Sequence, residues 1–304
     1  MTDLPPVNGR VLIIAGSDSS GGAGIQADIK ACAAFGAYSM TAVTAVTVQN
    51  TTGVSRVELM SPELVGEQIA ACVDDIGVDV VKIGMLGSAE IIRAVHAAVE
   101  PLDALVVLDP VMVATSGDAL LADDAMGALK ELLVPIADLV TPNVPEAALL
   151  TGLTVEDTDD LSKAGDAILA MGAYAALMKG GHLDMKSVVD VLVSEDGASV
   201  MSGPRIRSRH THGTGCTLAS AVAAALSLGA NLDEAVSAAR DYVFEAIRTA
   251  PKLGQGNGPL NHGLALPSMT GPSMQAQADA GGPDRDVDPA NPFAALKGMQ
   301  TRDG

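Results

Sequence analysis

The sequence predicts an α/β fold, with a mostly parallel central sheet and helices on both of its faces. Three observations carry this. Short apolar runs alternate with stretches of helical spacing from about residue 10 to residue 250. Hydrophobic residues make up 48 % of the 304 residues, enough for a large core. Polar, glycine-bearing segments follow the strands, at the carboxyl ends where such folds bind ligands.

The elements follow in order. Residues 11–15 form a buried strand that ends in Gly16-Ser17-Asp18-Ser19-Ser20-Gly21-Gly22. Residues 25–35 have helical spacing and stop at Gly36, a helix C-cap. Residues 40–48 are rich in Val and Thr and form a strand, and residues 62–75 form a helix with Ser61 as N-cap and Pro62 at its first position. Strand 79–83, helix 89–99, strand 104–108, helix 123–133, strand end 139–141 and short helix 145–150 continue the alternation. Helix 161–171 and strand 175–178 come next, then a hairpin of 188–193 and 198–201 across Ser194-Glu195-Asp196-Gly197. Helices 216–228 and 232–248 close the series. Residues 1–267 are expected to form one domain. Residues 268–304, rich in Gly, Pro, Asp, Ala and Gln, are expected to form a flexible tail.

Composition excludes several functions. Lys plus Arg is 18 and Asp plus Glu is 37, a net charge of −19, which argues against binding a nucleic-acid backbone. Aromatics are 2 % with no Trp, so stacking platforms for single strands are lacking. Cys32, Cys72 and Cys216 have neither zinc spacing nor a disulfide framework, and they fit a reducing compartment. Residues 1–10 lack the apolar core of a signal peptide, and no stretch reads as a membrane span. A cytoplasmic protein is expected.

The phosphate-loop lysine motif is absent, as is the Gly-x-Ser-x-Gly nucleophile elbow. Gly22-Ala23-Gly24-Ile25-Gln26-Ala27 matches a loose dinucleotide pattern, but no Asp or Glu lies between Asp28 and Glu58 to hold a ribose. A glycine loop facing a substrate is the better use of these residues. His212-Gly213-Thr214-Gly215-Cys216 opens an Ala-rich helix, where backbone N–H groups and the helix dipole suit a phosphoryl group. The plain alternative is a tight turn before a packing helix. The helix start favours a thiolate at Cys216, against the alternative of a small buried apolar residue. Asp109 and Glu146, after adjacent strands, suit hydrated Mg²⁺, against capping by Asn143 with a surface Glu146. Lys179-Gly180-Gly181-His182 suits a phosphate oxygen, against a solvated turn. His210 and His212 could share one side of a strand and bind a metal, though no third ligand is near.

Taken together, these residues resemble the ribokinase-like superfamily, and within it the hydroxymethylpyrimidine/phosphomethylpyrimidine kinases. The matching stretches are Ala15-Gly16-Ser17-Asp18 with Ser20 to Asp28, Thr44 to Thr51, Lys82 to Leu86, Asp109 to Met112, Thr141 to Ala147, Lys179 to His182, Thr211 to Leu218, and Gly258 to His262. The resemblance covers residues 10–265 in the family's order. It implies ATP- and Mg²⁺-dependent phosphorylation of 4-amino-5-hydroxymethyl-2-methylpyrimidine, then of its monophosphate, in thiamine biosynthesis. It implies an anion hole at Gly213, Thr214, Gly215 and Cys216, with Cys216 where sugar kinases of the fold carry an Asp base. By the same pattern Gln49 bonds the pyrimidine, and Ala23, Thr47, Met85 and Val111 line its pocket. Asp109 and Glu146 serve the Mg²⁺ region, and Lys179 lies by the nucleotide phosphates. His210, where relatives carry Asn or Asp, departs from the pattern, as do Thr47 and the tail. Rival readings are a pyridoxal kinase, a dinucleotide-dependent oxidoreductase and a non-catalytic pyrimidine-binding protein. The expected partners are small molecules, with a homodimer left open.

Overall fold

A computed structural model describes residues 9–112, 120, 122 and 124–264. The segment expected as a tail, 268–304, lies outside the described residues. Among those residues, nine strands form one sheet in the order β3-β2-β1-β4-β5-β6-β7-β8-β9. The inner strands are β1 (Arg10–Asp18), β2 (Tyr38–Asn50), β4 (Val80–Ile83), β5 (Leu105–Leu108), β6 (Leu139–Val140) and β7 (Ala175–Lys179), and neighbours among them pair in parallel. The outer strands β3 (Gly53–Leu59), β8 (Ser187–Ser194) and β9 (Gly197–Pro204) pair antiparallel.

Alternation along β1 divides the core. Leu12 and Ile14 pack with α2 (Pro62–Asp75), α3 (Ala89–Val99), α4 (Ala125–Ala128), α5 (Val144–Thr151) and α6 (Thr158–Ala170). Val11, Ile13 and Ala15 face the other way, toward α1 (Gly24–Phe35), α7 (Thr214–Ser227) and α8 (Leu232–Arg248). Both faces of the parallel strands are therefore dry, which is why their sequences read as continuous apolar runs. The predicted caps form: Ser61 Oγ accepts from the Leu64 N–H, and Gly36 ends α1 in the left-handed region at φ 86°.

Three features differ from expectation. β3 was not foreseen, because its Ser55, Arg56 and Glu58 are exposed at an edge and hide the alternation. The helix expected at 123–133 is four α-helical residues followed by one wider, π-helical turn, Leu129–Leu133, and position 123 lies outside the described residues. A short 3₁₀ turn, Gly180–His182, follows β7.

Two helical glycines predict opposite responses to one substitution. Gly66 in α2 faces open space, whereas a Cβ on Gly165 in α6 would lie 2.5 Å from Val193 Cγ2. Gly66→Ala is expected to raise stability by about 0.5–1 kcal/mol through helix propensity. Gly165→Ala is expected to lower it by about 1–3 kcal/mol, because α6 must move off β8. Urea unfolding of the two variants checks the pair. A stabilised Gly165→Ala would mean the α6–β8 contact is loose.

Candidate active site

The carboxyl ends of β1, β4, β5 and β7 open into one cavity of about 870 Å³, and every residue to which the resemblance gave a catalytic, binding or metal role lines it. Ala23 comes from the loop before α1, Thr47 and Gln49 from β2, Met85 from beyond β4, and Val111 from beyond β5. Asp109 follows β5, Glu146 lies in α5, Lys179 ends β7, and Gly213 to Cys216 open α7.

The start of α7 is the most constrained part. Gly213 is its N-cap at φ 81°, and no side chain caps the helix. A Cβ on Gly213 would collide with the Gly22 carbonyl oxygen, so the β1–α1 loop and the α7 turn touch backbone to backbone. A Cβ on Gly215 would stand 3.2 Å from Lys179 Nζ. The uncapped N–H groups, the helix dipole and a nearby ammonium together suit a phosphoryl group.

Lys179 Nζ donates to Asp109 Oδ1 at 2.9 Å, and Thr141 Oγ1 donates to the same oxygen at 3.1 Å. Burial would lower the Lys179 pKa, but Asp109 and Glu146 outweigh it and raise it. Glu146 is buried rather than at the surface, although Asn143 caps α5 with it in a reciprocal box. Burial pushes its carboxyl up to about 7, against the pull of Lys179 and with the repulsion of Asp109. Asp109 Oδ2 is buried without a hydrogen-bond partner. That orphaned oxygen and Glu146 fit a divalent cation. No group of three or more His, Cys, Asp or Glu side chains suited to a metal occurs among the described residues. An ion here would complete its shell with phosphate and water, as Mg²⁺ does.

Cys216, a half-buried residue, lines the same cavity. The partly ionised thiolate expected at a helix start is not what this environment favours. Desolvation pushes the thiol up to about 12, with Lys82 opposing and the carboxylates of Asp28 and Asp109 adding to the rise. This environment favours the neutral thiol over the thiolate. Below it, Lys82 Nζ bonds both oxygens of Asp28, at 3.0 and 3.1 Å, and Ser220 Oγ donates to Asp28 at 2.7 Å. Lys82 and Asp28 are fully buried. Burial would lower the Lys82 pKa, but Asp28 holds it above its ordinary value.

At the other end, the Gln49 amide stands between Thr47 and His212. Its two terminal atoms lie 3.0 Å from Thr47 Oγ1 and 3.4 Å from His212 Nε2. His212 Nε2 is also 2.9 Å from Asp18 Oδ2. Asp18, Lys82 and Asp28 were not nominated from the sequence, and His212 was considered only as a metal ligand with His210. Lys82 could have been nominated, since a lysine within the apolar run Val80-Val81-Lys82-Ile83 of a parallel strand must find a buried partner. His210, beside them in sequence, packs instead against Gly258, with its Nδ1 buried and unpartnered.

The glycines of the loose dinucleotide pattern serve packing. A Cβ on Gly22 would be 2.6 Å from His212 Cδ2, and one on Gly24 would strike the Gly16 carbonyl oxygen. Among the described residues, no helix is long and apolar enough to cross a membrane.

The family described as phosphomethylpyrimidine kinase matches residues 18–261. A hydroxymethylpyrimidine/phosphomethylpyrimidine kinase of Streptomyces coelicolor is 49 % identical over 86 % of this chain and 97 % of its own. One from Rhizobium meliloti is 48 % identical over 83 % of this chain and 96 % of its own. A crystal structure of phosphomethylpyrimidine kinase from Clostridium difficile is 43 % identical with a TM-score of 0.71, over 78 % of this chain and 99 % of that one. The pyridoxal kinase of Staphylococcus aureus, solved with AMP-PCP and pyridoxal, is 34 % identical with a TM-score of 0.78, over 84 % and 93 %.

The buried pair makes a testable demand. Lys82→Met strands a carboxylate in the core and is expected to cost about 3–5 kcal/mol, while the double variant Lys82→Met/Asp28→Asn recovers most of that. Unfolding free energies of the single and double variants decide. Equal losses would show that the two charges are not coupled.

Proposed function

The chain belongs to the phosphomethylpyrimidine kinase family and is a phosphotransferase, and from that premise we propose its substrates and the roles of its residues. It moves the γ-phosphoryl group of ATP onto the hydroxymethyl oxygen of 4-amino-5-hydroxymethyl-2-methylpyrimidine. It then adds a second phosphoryl group to the monophosphate, supplying the diphosphate for thiamine biosynthesis. One observation carries the reading: a single cavity joins an uncapped helix start flanked by Lys179 to a pocket bearing the Gln49 amide.

Gln49 reads the aminopyrimidine edge, whose ring nitrogen accepts and whose amino group donates. Ala23, Thr47, Met85 and Val111 enclose the ring. The N–H groups of Gly213, Gly215 and Cys216 take the charge of the transferring phosphoryl, Thr214, whose N–H and hydroxyl bond the Thr211 carbonyl, shapes the turn that presents them, and Lys179 contributes its ammonium. Asp109 and Glu146 would hold Mg²⁺, which when bound neutralises phosphate charge. Transfer through a loose transition state needs little base strength. A neutral Cys216 thiol therefore positions the substrate hydroxyl; as the hydroxyl oxygen bonds the γ-phosphorus the bond to ADP breaks, and the hydroxyl proton passes to an oxygen of the transferred phosphoryl group. The charge and cysteine arguments favour a cytoplasmic enzyme without nucleic-acid partners, and a homodimer is its proposed assembly.

The pyridoxal-kinase reading has an observation of its own, the likeness to solved structures of that name: one from Bacillus subtilis is 37 % identical with a TM-score of 0.77, over 84 % of this chain and 97 % of that one. The higher identity to the pyrimidine kinases favours the pyrimidine.

An ATP-consumption assay with the pyrimidine, its monophosphate and pyridoxal side by side tests the choice. Turnover of both pyrimidines above pyridoxal is expected, and turnover of pyridoxal alone overturns the reading. Gln49→Ala should raise the KM for the pyrimidine roughly ten- to hundredfold, since an unpaired buried partner costs ~1–3 kcal/mol. Wild-type pyrimidine affinity by calorimetry would remove Gln49 from the pocket. Cys216→Ala should lower kcat by about 10², the scale of a misplaced reacting group, with the KM for ATP nearly intact. Steady-state rates within a few-fold of wild type would leave Cys216 as packing alone.

A further inference from the structure

The Gln49 amide lies between two groups whose hydrogens are forced. Asp18 accepts from the N–H groups of Ser20, Gly22 and Ala23 and from the Ser20 hydroxyl. Burial would raise its pKa, but the bonds from His212, Ser20 and Ala23 hold it at about 2, so it is a carboxylate and can only accept. His212 Nε2, 2.9 Å from Asp18 Oδ2, must therefore carry a hydrogen, whether the ring is neutral or charged. That hydrogen is directed at Asp18 and the nitrogen keeps no lone pair, so an amide N–H of Gln49 turned toward it, 3.4 Å away, would find no acceptor.

Thr47 imposes the same condition from the opposite side. Its Oγ1 is 2.9 Å from the Ser17 carbonyl oxygen, which takes its single hydroxyl hydrogen. At the 3.0 Å contact with Gln49, Thr47 can only accept, so what faces it must be a donor. The oxygen and nitrogen of a carboxamide have nearly the same shape, and their partners decide which is which. Both neighbours give one answer: the Gln49 carbonyl oxygen turns to His212 and its amide nitrogen to Thr47. The amide is left with one N–H on the Thr47 side and one lone pair on the His212 side.

We propose that Asp18 and His212 are positioning residues that fix the polarity of the Gln49 amide, so that an aminopyrimidine enters in one orientation. The inference rests on the pyrimidine reading above. In that orientation the ring nitrogen faces the amide N–H and the exocyclic amino group faces the carbonyl oxygen. A ring with donor and acceptor exchanged is rejected. Neither residue touches the reacting atoms.

The discriminating probe is the 4-oxo analogue of the pyrimidine, whose ring nitrogen donates and whose exocyclic oxygen accepts. Wild type is expected to favour the 4-amino substrate by about 10² in kcat/KM, since two pairings are lost in the analogue. Because Thr47 would still hold the amide in His212→Leu alone, the comparison is made in a Thr47→Val background. Thr47→Val should keep the preference, since His212 still holds the amide, and Thr47→Val/His212→Leu should lose it at least about tenfold, with the KM for ATP unchanged. His212→Gln in the same background, which can restore an N–H donor, should keep it. If Thr47→Val alone loses the preference, or the double variant slows both substrates alike with the preference unmoved, His212 does not fix the amide and the proposal fails. If wild type does not phosphorylate the amino substrate, it is the pyrimidine reading that fails. Long-range ¹H–¹⁵N spectra of the wild-type protein then judge the polarity argument separately, and also serve if the double variant does not fold. A protonated Nε2 at His212 across the neutral range supports the argument, and a ring protonated only at Nδ1 overturns it.

Discussion

A buried ion pair stands where three elements meet beneath the cavity. Lys82 comes from β4, Asp28 from α1, and Ser220, which completes the carboxylate's bonds, from α7. A charge placed inside an apolar sheet is costly unless a partner is fixed in position. The pairing therefore restricts how α1 and α7 can lie on the sheet. Gly84 is part of the same constraint, since a Cβ there would stand 2.9 Å from Lys82 Nζ. Ser220 lies one turn beyond Cys216 on α7, so fixing Ser220 also fixes the direction of the helix start that faces the cavity.

Above that pair, the site is built from polar groups whose neighbours are only partly supplied by the protein. Asp109 has one oxygen bonded twice and one orphaned. Glu146 is buried and raised to about 7, and the α7 start has no side-chain cap. Each of these costs stability in the absence of a ligand. A bound phosphate and its cation would supply the missing partners. The two ends of the cavity thus differ in kind. The phosphate end is left unsatisfied, while the ring end, around Asp18, His212, Gln49 and Thr47, is internally bonded and holds one amide in a set orientation.

Glycines let these parts approach. Gly22 leaves room for the His212 ring, and Gly213 lets its turn touch the carbonyl of Gly22. The segment after α8 finishes the enclosure: Gly258 takes the His212 N–H on its carbonyl, and Asn257 donates its N–H to Thr51 in the β2–β3 turn. His262 receives or donates a hydrogen bond at Thr217 Oγ1, 2.9 Å away, next to the start of α7.

Much of this was legible from the chain alone. Apolar runs and capping residues fix element type locally, so the inner strands, the N-cap at Ser61 and the stop at Gly36 could be read residue by residue. The order of motifs at strand ends likewise nominated residues that the fold brings to one cavity. Edge strand β3 escaped because exposure removes the alternation that marks a half-buried strand. The partners of Lys82 and His212 escaped for a different reason. Asp28 lies 54 positions from Lys82, and Asp18 lies 194 from His212, and no local pattern encodes a contact at that distance. The ionisation of Cys216 was also beyond the sequence. Position at a helix start favours the thiolate, but burial opposes it, and only the packed structure decides which is larger.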